Sequence, residues 1–179
     1  MTSYVALLRG INVGGNKMVA MAALRAMLEE LGFEDAETLL QSGNAVFRAQ
    51  SKSAAALERQ LEAETQRRLG VAAEYHVRTA KELHAVIAAN PLPAQAASDP
   101  SHFVVIFHKA PIAAAAVRAA QAAISGPEIL RADGRHLYMF FPEGMGRSKA
   151  PAEVGKVLRV HGTARNWNTV RKLADLAGS

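Results

Sequence analysis

Cysteine is missing from all 179 residues of this chain. Its absence excludes a disulfide-stabilised scaffold, a zinc site with thiolate ligands and a cysteine nucleophile. Long apolar runs are missing too, since no segment approaches the ~18 consecutive apolar residues that a membrane span needs. The N-terminus also lacks a basic stretch followed by an apolar run of signal-peptide length. We therefore expect a cytoplasmic protein without a membrane partner.

Signatures of metal and cofactor chemistry are scarce. Six histidines are scattered along the chain, without a His-Glu-x-x-His pattern or a helical pair at metal-ligand spacing. Ser42 does not lie in the Gly-x-Ser-x-Gly turn that presents a hydrolase nucleophile. The sequence thus predicts no metal site and no cofactor, and it argues against a standard hydrolase. It leaves open whether the protein is an enzyme.

The charge balance is mildly basic. The chain has 21 Lys and Arg against 16 Asp and Glu, a net charge of +5. This excess permits a polyanionic partner such as nucleic acid, although many surface cations only make a fold soluble. The composition does not set the oligomeric state.

The hydrophobic pattern occurs twice along the chain. The first part predicts strand 4–9, helix 20–31, strands 37–41 and 45–49, helix 53–69 and strand 73–78. The second part predicts strand 102–108, helix 112–124, strands 128–132 and 136–141, helix 149–160, strand 162–166 and a terminal helix 169–177. We therefore predict an α+β protein of two ferredoxin-like β-α-β-β-α-β repeats, an internal duplication. The alternative is one mixed sheet without true duplication.

A proline-containing segment separates the two parts. Residues 91–101 contain three prolines, little charge and no periodicity, which is typical of a linker. We predict a first repeat over residues 1–90, a linker over 91–101, and a second repeat with a C-terminal helix over 102–179.

A glycine-rich polar loop follows the first predicted strand. It is not a P-loop, because Asn16 stands in place of the lysine and Met18 in place of the hydroxyl residue, and it lacks the dinucleotide-binding glycine pattern. The loop could still bind an anion through cationic side chains and glycine N–H groups. Its candidate ligand-binding residues are Arg9, Asn12, Gly14, Gly15 and Lys17. The alternative is a long connection whose glycines only supply positive φ angles.

Topology brings a second polar segment to this loop. In a β-α-β-β-α-β unit, the first strand ends at the edge where the hairpin between the second and third strands lies. That hairpin offers Gln41, Ser42 and Asn44, and the loop offers Asn16 as well. We expect the two segments to converge into one polar site.

The second repeat has a cationic segment of its own. Arg147, Ser148 and Lys149 come just before a predicted helix, where anions are favoured. The third and fourth strands end at the same edge, so we expect this segment near Arg165-Asn166-Trp167. Trp167 could stack on a base or a sugar. The alternative is that Trp167 anchors the last helix and Arg165 pairs with a carboxylate.

These polar segments resemble those of a known family. The run Leu8-Arg9-Gly10-Ile11-Asn12-Val13-Gly14-Gly15, with Gln41-Ser42-Gly43-Asn44 and Arg165-Asn166-Trp167-Asn168-Thr169, is similar to the bacterial Domain of Unknown Function 1697 family. The resemblance covers almost the whole chain, includes Arg147-Ser148-Lys149, and departs at Met18, where relatives often carry a base. It implies a duplicated ferredoxin-like α+β fold with a site in these segments, and it implies no reaction.

The polar loops favour binding of an anionic ligand, either a nucleotide or nucleic acid. One alternative is an enzyme that acts on a phosphorylated or carboxylated small molecule, with Lys17, Ser42 or Arg147 taking part. Another is a protein-interaction module whose loops contact a partner.

Overall fold

The computed structural model describes residues 1–15 and 17–178, which form two units. The first unit contains Met1–His84 and the C-terminal residues from Lys172 on, and the second contains Ala85–Arg171. The elements of the first unit are β1 (Thr2–Arg9), α1 (Met21–Glu30), β2 (Glu34–Thr38), β3 (Asn44–Ala49), α2 (Ala54–Leu69) and β4 (Glu74–Thr79). Helix α3 (Ala80–Ala88) begins in the first unit and ends in the second.

The second unit repeats this order after two short helical segments. Its elements are α4 (Pro93–Ser98), a 3-10 turn (Pro100–His102), β5 (Phe103–His108), α5 (Ala114–Ala123), β6 (Ile129–Asp133), β7 (His136–Phe140), α6 (Ala150–Leu158) and β8 (Gly162–Asn166). Helix α7 (Trp167–Ala177) begins in the second unit and ends in the first.

Each unit contains one four-stranded antiparallel sheet. The strand order is β2-β3-β1-β4 in the first unit and β6-β7-β5-β8 in the second. In both sheets the third strand of the repeat lies between the first and second, as the ferredoxin-like order requires. The predicted α+β fold with two similar β-α-β-β-α-β units is therefore confirmed.

The last strands of the two repeats correspond residue by residue. In the first unit Arg78 pairs with Val5 of β1, and in the second Arg165 pairs with Val105 of β5. Each last strand lies at the edge of its sheet, beside the first strand of the repeat. Residues counted from these two arginines therefore occupy equivalent places.

The main core of each unit lies between the sheet and its helices. In the first unit Ala6 and Leu8 are in a cluster with buried residues of α1 and α2, such as Leu24 and Leu57. In the second unit Val104 is clustered with buried residues of β7, α5 and α6. Side chains on the opposite sheet faces, such as Val5 and Val105, are buried as well, so both faces of the first strands are apolar.

Local sequence signals set several helix ends. The Ser53 hydroxyl accepts a hydrogen bond from the N–H of Ala56 at the start of α2, and Gly70 ends that helix at φ +67°. Thr79 and Glu82 form a reciprocal capping box at α3, because the Thr79 N–H donates to Oε2 of Glu82 and the Glu82 N–H donates to the Thr79 hydroxyl.

Two segments differ from the sequence prediction. Strand β2 covers residues 34–38 and not 37–41, with an irregular register between Glu34 and Glu37 and a positive φ of 50° at Asp35. Residues 91–101 contain α4 and most of the 3-10 turn, in which the His102 N–H donates to the Asp99 carboxylate. No helix of the described part of the chain combines the length and apolar character that a membrane crossing requires.

The C-terminal residues complete the first unit. The Ser3 hydroxyl donates to the carbonyl oxygen of Ala177 at 2.8 Å, and Nε2 of His84 lies 2.9 Å from the carbonyl oxygen of Gly178. The first unit is therefore built from both ends of the described chain.

Candidate functional site

The side chain of Asn12 holds the opening loop in place. Its Nδ2 donates to the carbonyl oxygens of Val19 (3.0 Å) and Gln41 (2.7 Å), and its Oδ1 accepts from the N–H of Val19 at 2.8 Å. Asn12 itself has a positive φ of 53°, a conformation that asparagine tolerates better than most residues. The two predicted loops therefore meet, and Asn12 is used in joining them.

Asn44 and Gly43 also serve the loop structure. The fully buried Asn44 donates from Nδ2 to the carbonyl oxygen of Leu39 (2.7 Å) and to the Ser42 hydroxyl (3.1 Å). The carbonyl oxygen of Gly43 accepts from the N–H of Leu8 at 2.9 Å. These contacts hold the hairpin against β1. The Asn44 amide donates both of these hydrogen bonds to groups of the hairpin itself.

Arg9 points along the sheet towards β4. Its Nη1 lies 3.3 Å from Oε2 of Glu74, in an ion pair whose two side chains are each about one-third exposed. Predicted site residues of this unit that remain exposed are Gly14, Gly15, Lys17, Gln41 and Ser42. Asn16 lies outside the described residues. The first unit therefore offers one exposed cation of the predicted set, Lys17, beside polar backbone and hydroxyl groups.

The second unit contains a polar cavity at the start of α6. Its volume is about 400 Å³, and it is lined by Ser125, Gly126, Pro127, Glu128, Glu143, Gly144, Arg147, Ser148 and Lys149. We call this the polar cavity. Arg147 and Lys149 are exposed, so their charges are accessible to a ligand. All three predicted residues of the cationic segment therefore line one cavity.

Two hydroxyl–carboxylate pairs hold the walls of the polar cavity. The Ser148 hydroxyl donates to Oε1 of the buried Glu128 and accepts from the N–H of Ala150 at 3.2 Å. On the other side, Ser125 donates from its hydroxyl and its N–H to the two carboxylate oxygens of Glu153, at 2.7 and 3.1 Å. These bonds from Ser125, with smaller contributions from Lys149 and Lys156, lower the pKa of Glu153.

Arg165 is part of the interior and does not line the polar cavity. It is only 7% exposed, and its Nη1 donates to the Thr163 hydroxyl (2.7 Å) and to the carbonyl oxygen of Ala164 (2.9 Å). Burial lowers the pKa of Arg165 to about 10, so the guanidinium is still charged at neutral pH. The guanidinium therefore has little exposed surface for a ligand, and the predicted binding role of Arg165 stays a prediction.

Trp167 and Asn166 anchor the chain at the start of α7. The buried Trp167 ring packs edge-to-face on Phe103, with 5.2 Å between ring centroids. Asn166 donates from Nδ2 to the carbonyl oxygen of Ser101 (2.5 Å) and accepts from the N–H of Asn168 (2.9 Å). These contacts fit the anchoring alternative for Trp167, which also lines a cavity of about 330 Å³ with Pro93 and Arg171.

The two polar segments of the second unit lie beside different elements. The segment 147–149 shares its cavity with 125–128, which leads into β6, whereas Arg165 lies on β8. Strands β6 and β8 form opposite edges of the sheet.

The sequence pattern did not predict Ser125 and Glu128 as site residues. The signal that could have indicated them is the Ser-Gly-Pro turn signature just before β6.

Metal chemistry has no evident site in the described residues. Among residues 1–15 and 17–178, no group of three or more His, Cys, Asp or Glu side chains is arranged to hold a metal ion. The polar cavity instead combines two cations, two carboxylates and two hydroxyls.

Comparisons with known proteins agree with this fold. Residues 1–138 match the model of the family described as "Protein of unknown function (DUF1697)". Among solved structures, the chain is similar to the conserved bacterial protein SP0830 from Streptococcus pneumoniae, with 26% sequence identity, a TM-score of 0.74 and 99% of each chain covered. Among curated proteins, none matches this chain. These relatives bring no ligand or reaction to the chain.

Proposed function

We propose that this chain, which belongs to the DUF1697 family of proteins of unknown function, binds a small anionic ligand in the polar cavity of its second unit. The observation that carries this proposal is the placement of Arg147 and Lys149 on one cavity of about 400 Å³. That volume falls in the range of about 300–1,000 Å³ that is usual for small-molecule sites. A mononucleotide, a sugar phosphate or a small carboxylate has a suitable size and charge.

The helix dipole supports an anion at the same place. Lys149 is the N-cap residue of α6, where the Ala150 N–H already donates to the Ser148 hydroxyl and Pro151 has no N–H. The N-terminal end of a helix favours negative charge because the helix dipole is positive there. Arg147 adds a planar guanidinium, which can bind a phosphate or carboxylate through two parallel hydrogen bonds.

A small ligand fits this cavity better than a nucleic-acid strand. The lining includes Glu128 and Glu143 as well as the two cations, so its formal charges balance. A phosphate backbone is bound more readily by a continuous basic track. The predicted stacking residue, Trp167, packs on Phe103 and does not line the polar cavity, so it offers no base platform at this place.

The proposal is tested by thermal and chemical denaturation with adenosine monophosphate, ribose 5-phosphate and inorganic phosphate as probes. Adenosine is the uncharged control for the first probe. A probe at a hundredfold excess over its Kd should raise the free energy of unfolding by about 2.7 kcal/mol. The double variant Arg147→Ala/Lys149→Ala should abolish this effect, whereas Arg118→Ala/Lys81→Ala, which removes the same charges from exposed helix positions, should retain it.

Three outcomes would count against an anion site in the cavity. The phosphorylated probes could leave the free energy of unfolding of the wild-type protein unchanged, or adenosine could stabilise it as much as adenosine monophosphate. The third outcome is that the probes stabilise both double variants to the same extent. If an oligonucleotide alone binds, and its affinity falls steeply with salt, the ligand is nucleic acid and not a small molecule.

An enzyme acting on such a ligand would use the same cavity. The specific observation in favour of this second candidate is the hydrogen bond between the Ser148 hydroxyl and the buried Glu128 carboxylate beside two cations. Phosphorus NMR of a bound phosphorylated probe distinguishes the candidates, because an enzyme converts the phosphate resonance with time and a binding protein leaves it unchanged.

A further inference from the structure

The cavity beside Trp167 lies apart from the polar cavity. Its volume is about 330 Å³, and its apolar walls include Ile87, Pro93, Ala96 and Pro100. We call it the tryptophan cavity. It shares no lining residue with the polar cavity among the described residues. Its volume lies within the range of about 300–1,000 Å³ that is usual for small-molecule sites.

One wall of the tryptophan cavity is formed by the segment that the sequence predicts as a linker. Within residues 91–101, the lining residues Pro93, Ala96 and Ala97 belong to α4, and Pro100 belongs to the 3-10 turn. Alanine and proline side chains lose almost no rotamer freedom when another group packs on them. This segment therefore offers an apolar surface that a ligand can cover at little cost in conformational entropy.

Trp167 supplies a hydrogen-bond donor at this cavity. The residue packs on Phe103 and is only 7% exposed. Its Nε1 makes no hydrogen bond with the described residues, and it is not one of the unpaired polar atoms that are closed off from solvent there. An indole nitrogen can only donate. The nearly buried tryptophan therefore retains an accessible N–H that can bind an acceptor on a ligand.

Arg171 adds a positive charge one helical turn after Trp167. Residues four apart on a helix lie on the same face, and both of these residues line the cavity. Arg171 is exposed and makes no hydrogen bond or ion pair with the described residues. No Asp or Glu lines the cavity in that part of the chain, and the carboxylate of Asp99, next to its wall, already accepts from the Ser101 hydroxyl and lies 2.7 Å from Nδ1 of His102. The Arg171 guanidinium is therefore available to an anion.

We propose that the tryptophan cavity binds a small aromatic carboxylate, with the ring on the apolar walls and the carboxylate between the Trp167 N–H and the Arg171 guanidinium. Both protein groups are donors, and an ionised carboxylate is an acceptor with two oxygens, so the three groups match. An aromatic ring is favoured over a saturated one because it can also make an edge-to-face contact with the indole. This site goes beyond the proposed function, because the polar cavity has no part in it.

The experiment uses phenylacetate as the probe and the only tryptophan of the chain as the reporter. Trp167 gives the single indole N–H resonance of the protein, and phenylacetate should shift this resonance in a saturable manner. Phenylacetamide, which lacks the negative charge, should bind about tenfold more weakly, and cyclohexylacetate, which lacks the aromatic ring, about threefold more weakly. An unshifted indole resonance, or equal affinities of phenylacetate and either analogue, would overturn the proposal.

Matched variants test the charge and the space separately. Arg171→Gln should weaken phenylacetate binding by about tenfold, whereas Lys172→Gln, which removes the next cation of α7, should leave it unchanged. Ala97→Leu enlarges a side chain on the cavity wall and should weaken binding by about tenfold or more, whereas Ala94→Leu, at a position of α4 that does not line the cavity, should have little effect. All four positions are exposed, so the variants should keep the fold. Equal effects of the two variants within either pair would contradict the proposed site.

Discussion

Arg78 and Arg165 occupy equivalent places in the two units and make equivalent hydrogen bonds. Each donates from Nη1 to the carbonyl oxygen of the residue before it, Val77 at 2.8 Å and Ala164 at 2.9 Å. Arg78 is fully buried and Arg165 nearly so. A guanidinium that is buried in the same way in both repeats has a structural role. Transfer of this charge from water into the protein interior is costly unless hydrogen-bond partners are held in place around it.

Replacement of Arg165 by alanine should therefore destabilise the protein. The change removes the hydrogen bonds to Thr163 and Ala164 and leaves unfilled volume, and we expect the free energy of unfolding to fall by roughly 1–3 kcal/mol. The exposed Arg147→Ala is the matched control and should change it by less than about 0.5 kcal/mol. Urea denaturation measures both. Equal stabilities of the two variants would contradict the structural role of Arg165.

Replacement of Asn12 by alanine should loosen the opening loop. All three of its side-chain hydrogen bonds are lost in this variant, whereas Asn12→Asp keeps the acceptor for the Val19 N–H. Hydrogen exchange of the Val19 amide should therefore accelerate strongly in Asn12→Ala and less in Asn12→Asp. If both variants exchange at the wild-type rate, Asn12 does not hold the loop in solution.

Gly43 should tolerate substitution much less well than Gly14. A Cβ at Gly43 would lie 2.6 Å from Cδ1 of Ile11 and 2.9 Å from Cβ of Leu8, at a φ of +84°, whereas one at Gly14 would meet nothing within 4 Å at +63°. We expect Gly43→Ala to lower the free energy of unfolding by roughly 2–4 kcal/mol and Gly14→Ala by roughly 1–2 kcal/mol. Parallel urea titrations give the difference, and a larger effect at Gly14 would refute the packing at Gly43.

The raised pKa of Tyr75 should make the free energy of unfolding fall as the pH rises in alkaline solution. Burial raises the pKa of Tyr75 to about 12, while its hydroxyl lies 2.7 Å from that of Thr65. Between an ordinary tyrosine pKa of about 10 and this value, the unfolded chain releases a proton that the folded chain retains, so stability falls as the pH rises. The total loss from this group is at most about 2–3 kcal/mol.

The Tyr75→Phe variant isolates this effect. Burial also raises the pKa of Tyr138, so both tyrosines contribute to the decrease in the free energy of unfolding of the wild-type protein with rising pH. Urea denaturation at pH 9, 10 and 11 should give a smaller decrease for Tyr75→Phe than for the wild type. If the free energy of unfolding falls equally with pH in the wild type and in Tyr75→Phe, the pKa of Tyr75 is not raised in the folded protein.

Local patterns in the sequence were sufficient to predict the fold. Apolar runs predict the central strands, a glycine follows the helical pattern at Gly70, and Asp133-Gly134 between β6 and β7 is a typical hairpin turn. Strand β2 was misplaced because its residues, Glu34 to Thr38, are mostly polar and exposed at a sheet edge, whereas the apolar Leu39 and Leu40 just after it belong to the turn. Periodicity predicts buried strands well and polar edge strands poorly.

The candidate site was predicted only in part. The segment 147–149 was recognised by its charge before a helix, but its partner segment 125–128 carries no such signal. Arg165 and Trp167 are candidate binding residues by sequence because both are polar or amphipathic and come near the end of a predicted strand. The burial of Arg165 depends on which face of β8 its side chain occupies, and that of Trp167 on how α7 packs against Phe103, and neither is encoded in the nearby residues.

The contribution of residues after Lys172 to the first unit has a consequence for synthesis on the ribosome. When residue 84 has been made, the chain contains both β1 and His84 but not yet their partners Ala177 and Gly178. At translation rates of about 5–20 residues per second, the chain from residue 85 to Gly178 takes roughly 5–19 s to appear. The N-terminal repeat therefore emerges first but receives its final contacts last, after the repeat that follows it has been translated.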